Sequence, residues 1–271
     1  MIRVLSLAAV LAVVALKSPE RSSSPGASLL RVVANDYAFT VASPPHAGLV
    51  VVRLVNRGHE MHHLELSPVP DSLSLRNYYE LVTADQPSPL VHDVGGPNLT
   101  APGDSSEVML RLRPGRYILT CWVNAADGKP HLMRGMMAEI RVGRVQAELP
   151  PPTADAKISA SDYKFVVDGQ LRRGANVVAF ENAGPQEHDI QFLRLTEGQS
   201  TSTVAEWAKR GGIGAPTRSV VGGTSGIDVG RRVWFTVTLD PGRYAIFCFV
   251  PDGKDGKMHL LHGMVREVMI R

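Results

Sequence analysis

The sequence has few of the features that mark common enzymes and nucleic-acid-binding proteins. Its 271 residues include only two cysteines, and 6% of them are aromatic. The 29 Lys and Arg residues nearly balance the 26 Asp and Glu residues, and without a basic cluster nothing supports nucleic-acid binding. The Gly-x-Ser-x-Gly, phosphate-loop and His-Glu-x-x-His motifs are also missing. These absences exclude the familiar hydrolase, nucleotide-binding and zinc-protease patterns.

One long apolar run lies at the N-terminus. Arg3 and the run from Val4 to Leu16 correspond to the charged and hydrophobic regions of a secretory signal. The run is short for a bilayer span, and the absence of a nearby Cys excludes a lipoprotein anchor on Cys. We therefore expect residues 1–18 to be a secretory signal, or alternatively an uncleaved N-terminal anchor. The protein is expected to be exported, to the periplasm or the cell exterior, with no membrane contact unless the signal is uncleaved.

An internal repeat contains both cysteines. In each half a His follows an Asn-x-Gly turn, a Cys ends a predicted strand, and His-x-x-x-Gly-Met comes after it. These residues are Asn56, Gly58, His62, Cys121, His131, Gly135 and Met136, and then Asn182, Gly184, His188, Cys248, His259, Gly263 and Met264. The repeat predicts tandem domains at 30–145 and 158–271, with a flexible leader at 19–29 and a Pro-rich linker at 146–157.

Most segments of each repeat are short apolar or β-branched runs bounded by turn residues. This pattern predicts an all-β protein built from two β-sandwiches. The predicted strands include residues 49–55, 108–112, 117–123, 177–180, 233–239 and 244–250. One short helix is expected in each sandwich, from Ser74 to Thr83 and from Ser202 to Gly211, the latter with Thr203 and Glu206 as a capping box.

The repeated residues form a metal-ligand set in each half. Two imidazoles, a thiolate and a thioether suit copper, and a His₂Cys set with a weak axial Met is the pattern of blue-copper electron-transfer sites. The predicted ligands are His62, Cys121, His131 and Met136 in the first half, and His188, Cys248, His259 and Met264 in the second. A disulfide between the cysteines, or a buried free thiol in each core, is the alternative. Neither explains why the same His and Met follow each Cys, so we expect two coppers per chain.

Strand alternation selects between two adjacent histidines in the first half. His62 shares a strand face with Leu64 and Leu66, whereas His63 shares the other face with Glu65. In the second half His188 likewise aligns with Ile190 and Phe192, while Asp189 and Gln191 are expected to face outward. The inward ligand of the first half is therefore expected to be His62.

At these residues the chain resembles the cupredoxins. The Asn-x-Gly-x-x-x-His turn, the Pro-Gly-x-Tyr-x-x-x-Cys strand and the His-x-x-x-Gly-Met end are similar to plastocyanin and to the type 1 copper domain of copper nitrite reductase. The resemblance implies two Greek-key β-sandwiches, each with a mononuclear copper. One departure concerns the residue after the upstream His, commonly Asn in small cupredoxins but His63 and Asp189 here. The contacts that fix the ligand loop must therefore differ.

Electron transfer to a redox partner protein is the first functional hypothesis. The downstream His of each half would be the electron exit. Four apolar residues near those histidines would either form a docking patch or pack inward over the site. They are Leu132, Met133, Leu260 and Leu261.

Two other functions remain as alternatives. A non-redox copper-handling protein would use the same ligands to hold copper. A nitrite reductase or small multicopper oxidase would need further copper ligands, yet no His-x-His pair occurs and no His adjoins either Cys. The remaining histidines are expected at the surface; they are His46, His59, His63, His92 and His262. A less favoured hypothesis is that His59 and His63 join a metal site at a domain or subunit interface. We therefore expect a protein that is not an enzyme.

Overall fold

The computed structural model describes residues 26–84, 91–214 and 220–271. The predicted signal and residues 19–25 of the leader lie outside these ranges. The strands of the first half are β1 (Ser28–Asn35), β2 (Ala38–Val41), β3 (Gly48–Asn56), β4 (Glu65–Val69), β5 (Ser105–Leu112), β6 (Gly115–Thr120) and β7 (Met137–Val142). Those of the second are β8 (Ala156–Ser161), β9 (Lys164–Gly169), β10 (Gly174–Asn182), β11 (His188–Leu195), β12 (Val220–Ile227), β13 (Arg232–Leu239), β14 (Gly242–Phe247) and β15 (Val265–Ile270). The all-β prediction is confirmed.

The described residues form three sheets. The largest has the strand order β2-β1-β3-β5-β13-β10-β8-β9 and runs through both halves, because β5 pairs with β13 at Val108 and Met109. A second sheet, β4-β6-β7, faces its first-half strands, and a third, β12-β11-β14-β15, faces its second-half strands. Apolar side chains from the facing sheets fill one continuous core that includes both cysteines. Burial of this apolar surface is the main stabilising contribution to such a sandwich.

One short helix interrupts each half, as expected. Helix α1 (Leu75–Val82) begins after Ser74, whose hydroxyl accepts the Asn77 N–H at 3.0 Å. Helix α2 (Thr201–Lys209) begins after Ser200, whose N–H donates to Thr203 Oγ1 at 3.2 Å. The predicted capping pair of Thr203 with Glu206 is therefore wrong, because Thr203 is itself the third helical residue. Neither helix is long and apolar enough to cross a bilayer, nor is any other among the described residues.

The strands before the two cysteines are shorter than predicted. Strand β6 ends at Thr120 and β14 at Phe247, so each Cys lies just beyond its strand. The Cys121 carbonyl accepts the Leu132 N–H at 2.8 Å, and the Cys248 carbonyl accepts the Leu260 N–H at 2.9 Å. Because these donors come from the loop that follows each Cys, the loop replaces the neighbouring strand there and folds back over the thiol.

A segment of the first half lies between the two halves. Within residues 93–100, Val94 bridges to Ile227 and Pro97 to Thr224 of β12. At its end Thr100 bridges back to His62. This segment therefore contacts the second half along one edge and the predicted first-half copper ligands at its end.

Candidate metal centre

Three predicted ligands of the first half meet in the core. The Nδ1 atoms of His62 and His131 are 3.1 Å apart, and Cys121 Sγ is 3.9 Å from the first and 3.6 Å from the second. All three side chains are fully buried. One transition-metal ion bonds nitrogen at about 2.0 Å and sulfur at about 2.3 Å. A triangle of this size therefore lets one ion contact all three donor atoms.

The second half repeats this geometry. The Nδ1 atoms of His188 and His259 are 3.1 Å apart, and Cys248 Sγ lies 3.8 Å and 3.5 Å from them. These side chains are fully buried as well. Both cysteines are free thiols, so the alternative of a disulfide between them is wrong. The two His–Cys–His groups have edges that agree within 0.1 Å.

The Asn-x-Gly turn positions the upstream His against a carboxylate that the sequence analysis missed. Asn56 Oδ1 accepts the Gly58 N–H at 2.8 Å, and this closes the turn. A Cβ at Gly58 would lie 2.1 Å from Asp36 Oδ1 and 2.7 Å from His62 Nε2, so only Gly lets these two groups meet. They hydrogen-bond at 3.0 Å. In the second half Asp162 Oδ1 contacts His188 Nε2 at the same distance.

Hydrogen bonds fix the protonation of the first pair of imidazoles. His62 Nε2–H donates to Asp36 and His131 Nε2–H donates to Glu60 Oε2, each at 3.0 Å. Burial lowers the pKa of both rings and favours their neutral form, in which only one nitrogen carries a proton. Both Nδ1 atoms therefore present lone pairs toward each other at 3.1 Å. Such an arrangement is repulsive until a cation lies between the lone pairs.

The buried thiols agree with this interpretation. Burial raises the pKa of Cys121 to about 12 and raises that of Cys248 well above its usual value. A thiol in such surroundings ionises only when a cation compensates the charge of the thiolate. Two neutral imidazoles and one buried thiol, without a carboxylate among the donors, are the soft set that suits copper.

Each predicted axial Met follows a tight turn. A 3-10 turn starts at the downstream His and ends at Gly135 or Gly263, which have left-handed φ values of 92° and 96°. The N–H of Met136 returns to the His131 carbonyl at 3.1 Å, and Met264 makes the same bond to His259 at 3.0 Å. Both Met side chains are fully buried in the core that contains the cysteines. The role of these Met residues as axial ligands stays a prediction.

The residues after the upstream histidines tie down the ligand loops. His63 Nε2 accepts the Trp122 N–H at 2.7 Å, and Asp189 Oδ1 accepts the Phe249 N–H at 2.8 Å. The expectation that Asp189 faces outward is wrong, because only 6% of it is exposed. The same holds for Gln191, which is fully buried. The reason is that the two halves pack together over this face.

The downstream histidines are not exposed electron exits. His131 is fully buried under Glu60 and Tyr37, whose ring lies edge-on at 4.9 Å, and His259 is buried under Tyr163 at 5.3 Å. The proposed docking patch is only partly formed. Leu132 and Leu260 pack inward, whereas Met133 is 45% exposed. Any partner would thus reach the downstream ligands through the Tyr and its acidic neighbour.

A cavity of about 690 Å³ lies between the halves. The carboxylates of Glu65, Asp93 and Glu187 meet in its wall, and the sequence analysis identified none of them. Burial raises the pKa of Asp93 to about 7 and raises those of Glu65 and Glu187 well above their usual values. Glu65 and Asp93 are buried and Glu187 is half-buried, and the three carboxyl groups are therefore largely protonated below neutral pH.

The raised pKa of Asp93 predicts a pH-dependent stability. Between the ordinary pKa of 3.8 and about 7 the folded protein holds a proton that the unfolded chain has released. The free energy of unfolding contributed by this group therefore falls as pH rises through that window. Asp93→Asn should remove the contribution of Asp93 to this slope and gain stability relative to wild type as pH rises from about 4 to about 7. Denaturant unfolding of both metal-free proteins measures this. Exposed Asp71→Asn is the control, and equal slopes for Asp93→Asn and wild type would contradict the assignment.

The structure does not support the less favoured hypothesis of an interface metal site built from His59 and His63. His59 has a 96% exposed side chain and pairs with Asp36, whereas His63 lies at the wall of the cavity. The His63 Nε2 atom also accepts the Trp122 N–H at 2.7 Å, which occupies one of the two ring nitrogens. Among the described residues, no other potential metal-binding group contains two histidines.

Several solved copper proteins are similar to this chain. An auracyanin from Roseiflexus castenholzii is 18% identical, covers 42% of this chain and 94% of its own, and has a TM-score of 0.31. A copper-containing nitrite reductase from Thermus scotoductus is 15% identical over 90% of this chain and 61% of its own, with a TM-score of 0.24. This chain thus spans less than two thirds of that enzyme. A blue copper oxidase from Nitrosomonas europaea is 15% identical over 89% and 85%, with a TM-score of 0.24.

No protein-family model and no curated protein sequence matches the chain. Since the structural similarities are distant, the metal preference follows from the donor atoms of the site itself. Each half has the strand content and the two facing sheets of a β-sandwich. In both halves the donors occur in the order His, Cys, His. The protein therefore resembles the cupredoxins in its all-β sandwich of each half and in the buried His–Cys–His group that each half contains.

Proposed function

We propose that this protein is an exported copper protein that transfers electrons, with one type 1 copper in each half. The ligands would be the two His, the Cys and the Met of each repeat. Copper supplies the one-electron couple between Cu(II) and Cu(I). The proposal rests on one observation. Each half contains a buried His–Cys–His triangle, and the corresponding edges of the two triangles agree within 0.1 Å.

The surroundings of the ligands favour electron transfer over copper storage. In the first half Asp36 and Glu60 orient both imidazoles, and the His63 ring holds the backbone beside Cys121. Ligands fixed in this way keep their positions in both oxidation states, so little rearrangement opposes the transfer of an electron. Full burial of the donors also hinders exchange of the ion, which a copper-handling protein requires.

Copper analysis and visible spectroscopy of the same sample test this function. The expected result is two coppers per chain, intense thiolate-to-copper absorption in the oxidised protein, and reversible bleaching with a mild reductant. Copper that binds without reversible bleaching would favour the copper-handling alternative. Reduction of nitrite or oxygen at a rate that depends on the bound copper would favour the enzyme, to which the nitrite reductase and oxidase similarities would then be relevant.

The charge of Glu60 is expected to affect the reduction potential of the first site. Burial alone would raise the pKa of Glu60, but hydrogen bonds from Tyr37 and His131 lower it, so the group carries a negative charge beside His131. The corresponding residue of the second half is Gln186, and His259 Nε2 makes no hydrogen bond, although Asp252 Oδ2 lies 3.7 Å away. Because the Glu60 charge favours Cu(II), Glu60→Gln should raise the potential of the first site by about 60 mV, a tenfold change for one electron. Spectroelectrochemical titration measures this, with the second site as internal control. An unchanged first potential would contradict the prediction.

Export is part of the proposal and rests on the N-terminal sequence. Arg3 followed by the apolar run to Leu16 has the composition of a secretory signal. Mass spectrometry of the protein from its native cells would identify its N-terminus. An intact Met1 in a soluble intracellular fraction would contradict export.

A further inference from the structure

A line of hydrogen-bonded and neighbouring residues joins the two candidate copper sites. It begins at Trp122, which follows Cys121 in the chain. The Trp122 N–H donates to His63 Nε2 at 2.7 Å. The His63 ring and the Asn98 side chain both line the cavity between the halves and interact there, and the Pro97 carbonyl beside Asn98 accepts the Leu64 N–H beside His63 at 2.9 Å. The line therefore leads from the first thiol to Asn98 in the segment between the halves.

The second half of the line starts at the same Asn98. Its Nδ2 donates to Asp189 Oδ2 at 3.1 Å. The other oxygen of Asp189 accepts the Phe249 N–H at 2.8 Å, and the Asp189 N–H lies 3.4 Å from Cys248 Sγ. Asn98 therefore connects two equivalent positions, His63 and Asp189, each of which contacts the backbone next to a ligand Cys.

Asn98 is held in place for this connection. Only 3% of the residue is exposed, and its Nδ2 atom also lies 3.3 Å from the Ile190 carbonyl oxygen and 3.0 Å from that of Thr224. Its own N–H donates to the Gly223 carbonyl at 3.4 Å. A side chain with so many partners has one defined orientation, so the line between the sites is a fixed feature of the fold.

We propose that the two metal sites exchange electrons within one chain through Trp122, His63, Asn98, Asp189 and Cys248. The inference rests on the proposed function and deepens it. In a chain that held one reduced and one oxidised copper, these residues would carry one electron from the reduced site, which would be oxidised, to the other, which would be reduced. No bond breaks and no proton moves. Electrons tunnel faster along covalent and hydrogen bonds than across gaps between packed atoms, and this is what the line provides.

Pulse radiolysis tests the proposal. Met136→Leu serves as the background because a change of axial ligand gives the first site its own potential and spectrum. Fully oxidised protein receives less than one electron per chain. The expected result is a first-order transfer between the sites at a rate independent of protein concentration. Cys121→Ser and Cys248→Ser, each with one site, should lack this phase.

Asn98→Leu in the same background should slow the transfer at least about tenfold while both potentials stay unchanged. Asn176→Leu is the matched control, because Asn176 is buried to the same degree but lies outside the line. If Asn98→Leu fails to fold, Asn98→Ser, which is too short to reach both neighbours, takes its place. An unchanged rate with both coppers redox-active would overturn the bridge alone, whereas sites that bind no redox-active copper would overturn the proposed function and the bridge together.

A second measurement needs no metal. In the metal-free protein, Asn98→Leu should shift the amide resonances of both Trp122 and Phe249, since each amide bonds a partner of Asn98. Asn176→Leu should leave both in place. Shifts confined to one half would contradict a continuous connection.

Discussion

Cys121→Ser is expected to remove one copper and its thiolate-to-copper band, and Cys248→Ser to remove the other. Each Cys is the single thiol of its triangle, and a Ser hydroxyl does not replace a thiolate as a soft ligand. Each variant should therefore retain about half of the bound copper and its own visible band. Copper analysis and the spectrum of the oxidised protein measure this.

The two single variants are each other's matched controls. Ser is close to Cys in size, so the metal-free variants should keep the strand content of the wild type, which circular dichroism reports. If either variant alone bleaches the whole spectrum, the two sites do not bind copper independently. If both variants keep two coppers, the thiols are not ligands.

His62→Ala should abolish or strongly alter the copper spectrum of the first half, whereas His63→Ala should leave it recognisable. The structure places His62 Nδ1 beside Cys121 Sγ, while the His63 ring turns away and accepts the Trp122 N–H. Loss of His63 removes a contact that fixes the loop, so at most a shift of the reduction potential is expected. Loss of His62 removes a donor atom.

The comparison is sharpest in a Cys248→Ser background, where only the first site absorbs. His188→Ala in a Cys121→Ser background is the equivalent change in the second half and should have the same effect as His62→Ala. The reverse outcome, with His63 required and His62 dispensable, would show that the residues around His62 are shifted by one position from the register in which His62 faces Cys121.

The ligand sets follow from the sequence because spacing and donor chemistry are local properties. The Asn-x-Gly turn, the Cys after a strand and the His-x-x-x-Gly-Met end occur twice, and alternation over a few residues separates His62 from His63. The structure brings His62, Cys121 and His131 together as expected. The limits of the two domains stay a prediction.

Alternation predicts which side chains share a face, but it does not reveal what covers that face. Asp189 and Gln191 are polar and alternate with apolar neighbours, so alternation predicts that they face outward. They are buried because a second half packs there. The downstream His131 is covered for a similar reason, since Tyr37 comes from a distant strand end.

The sequence by itself determined the all-β class, the two groups of His, Cys and His, and the choice between adjacent histidines. Only the tertiary structure decided that Asp36 and Glu60 orient the imidazoles, that three carboxyl groups meet between the halves, and that Asn98 connects the two sites. The reason is sequence separation. Asn98 and Asp189 are 91 residues apart, and such a pair becomes neighbours only when the chain folds and the two halves pack against each other.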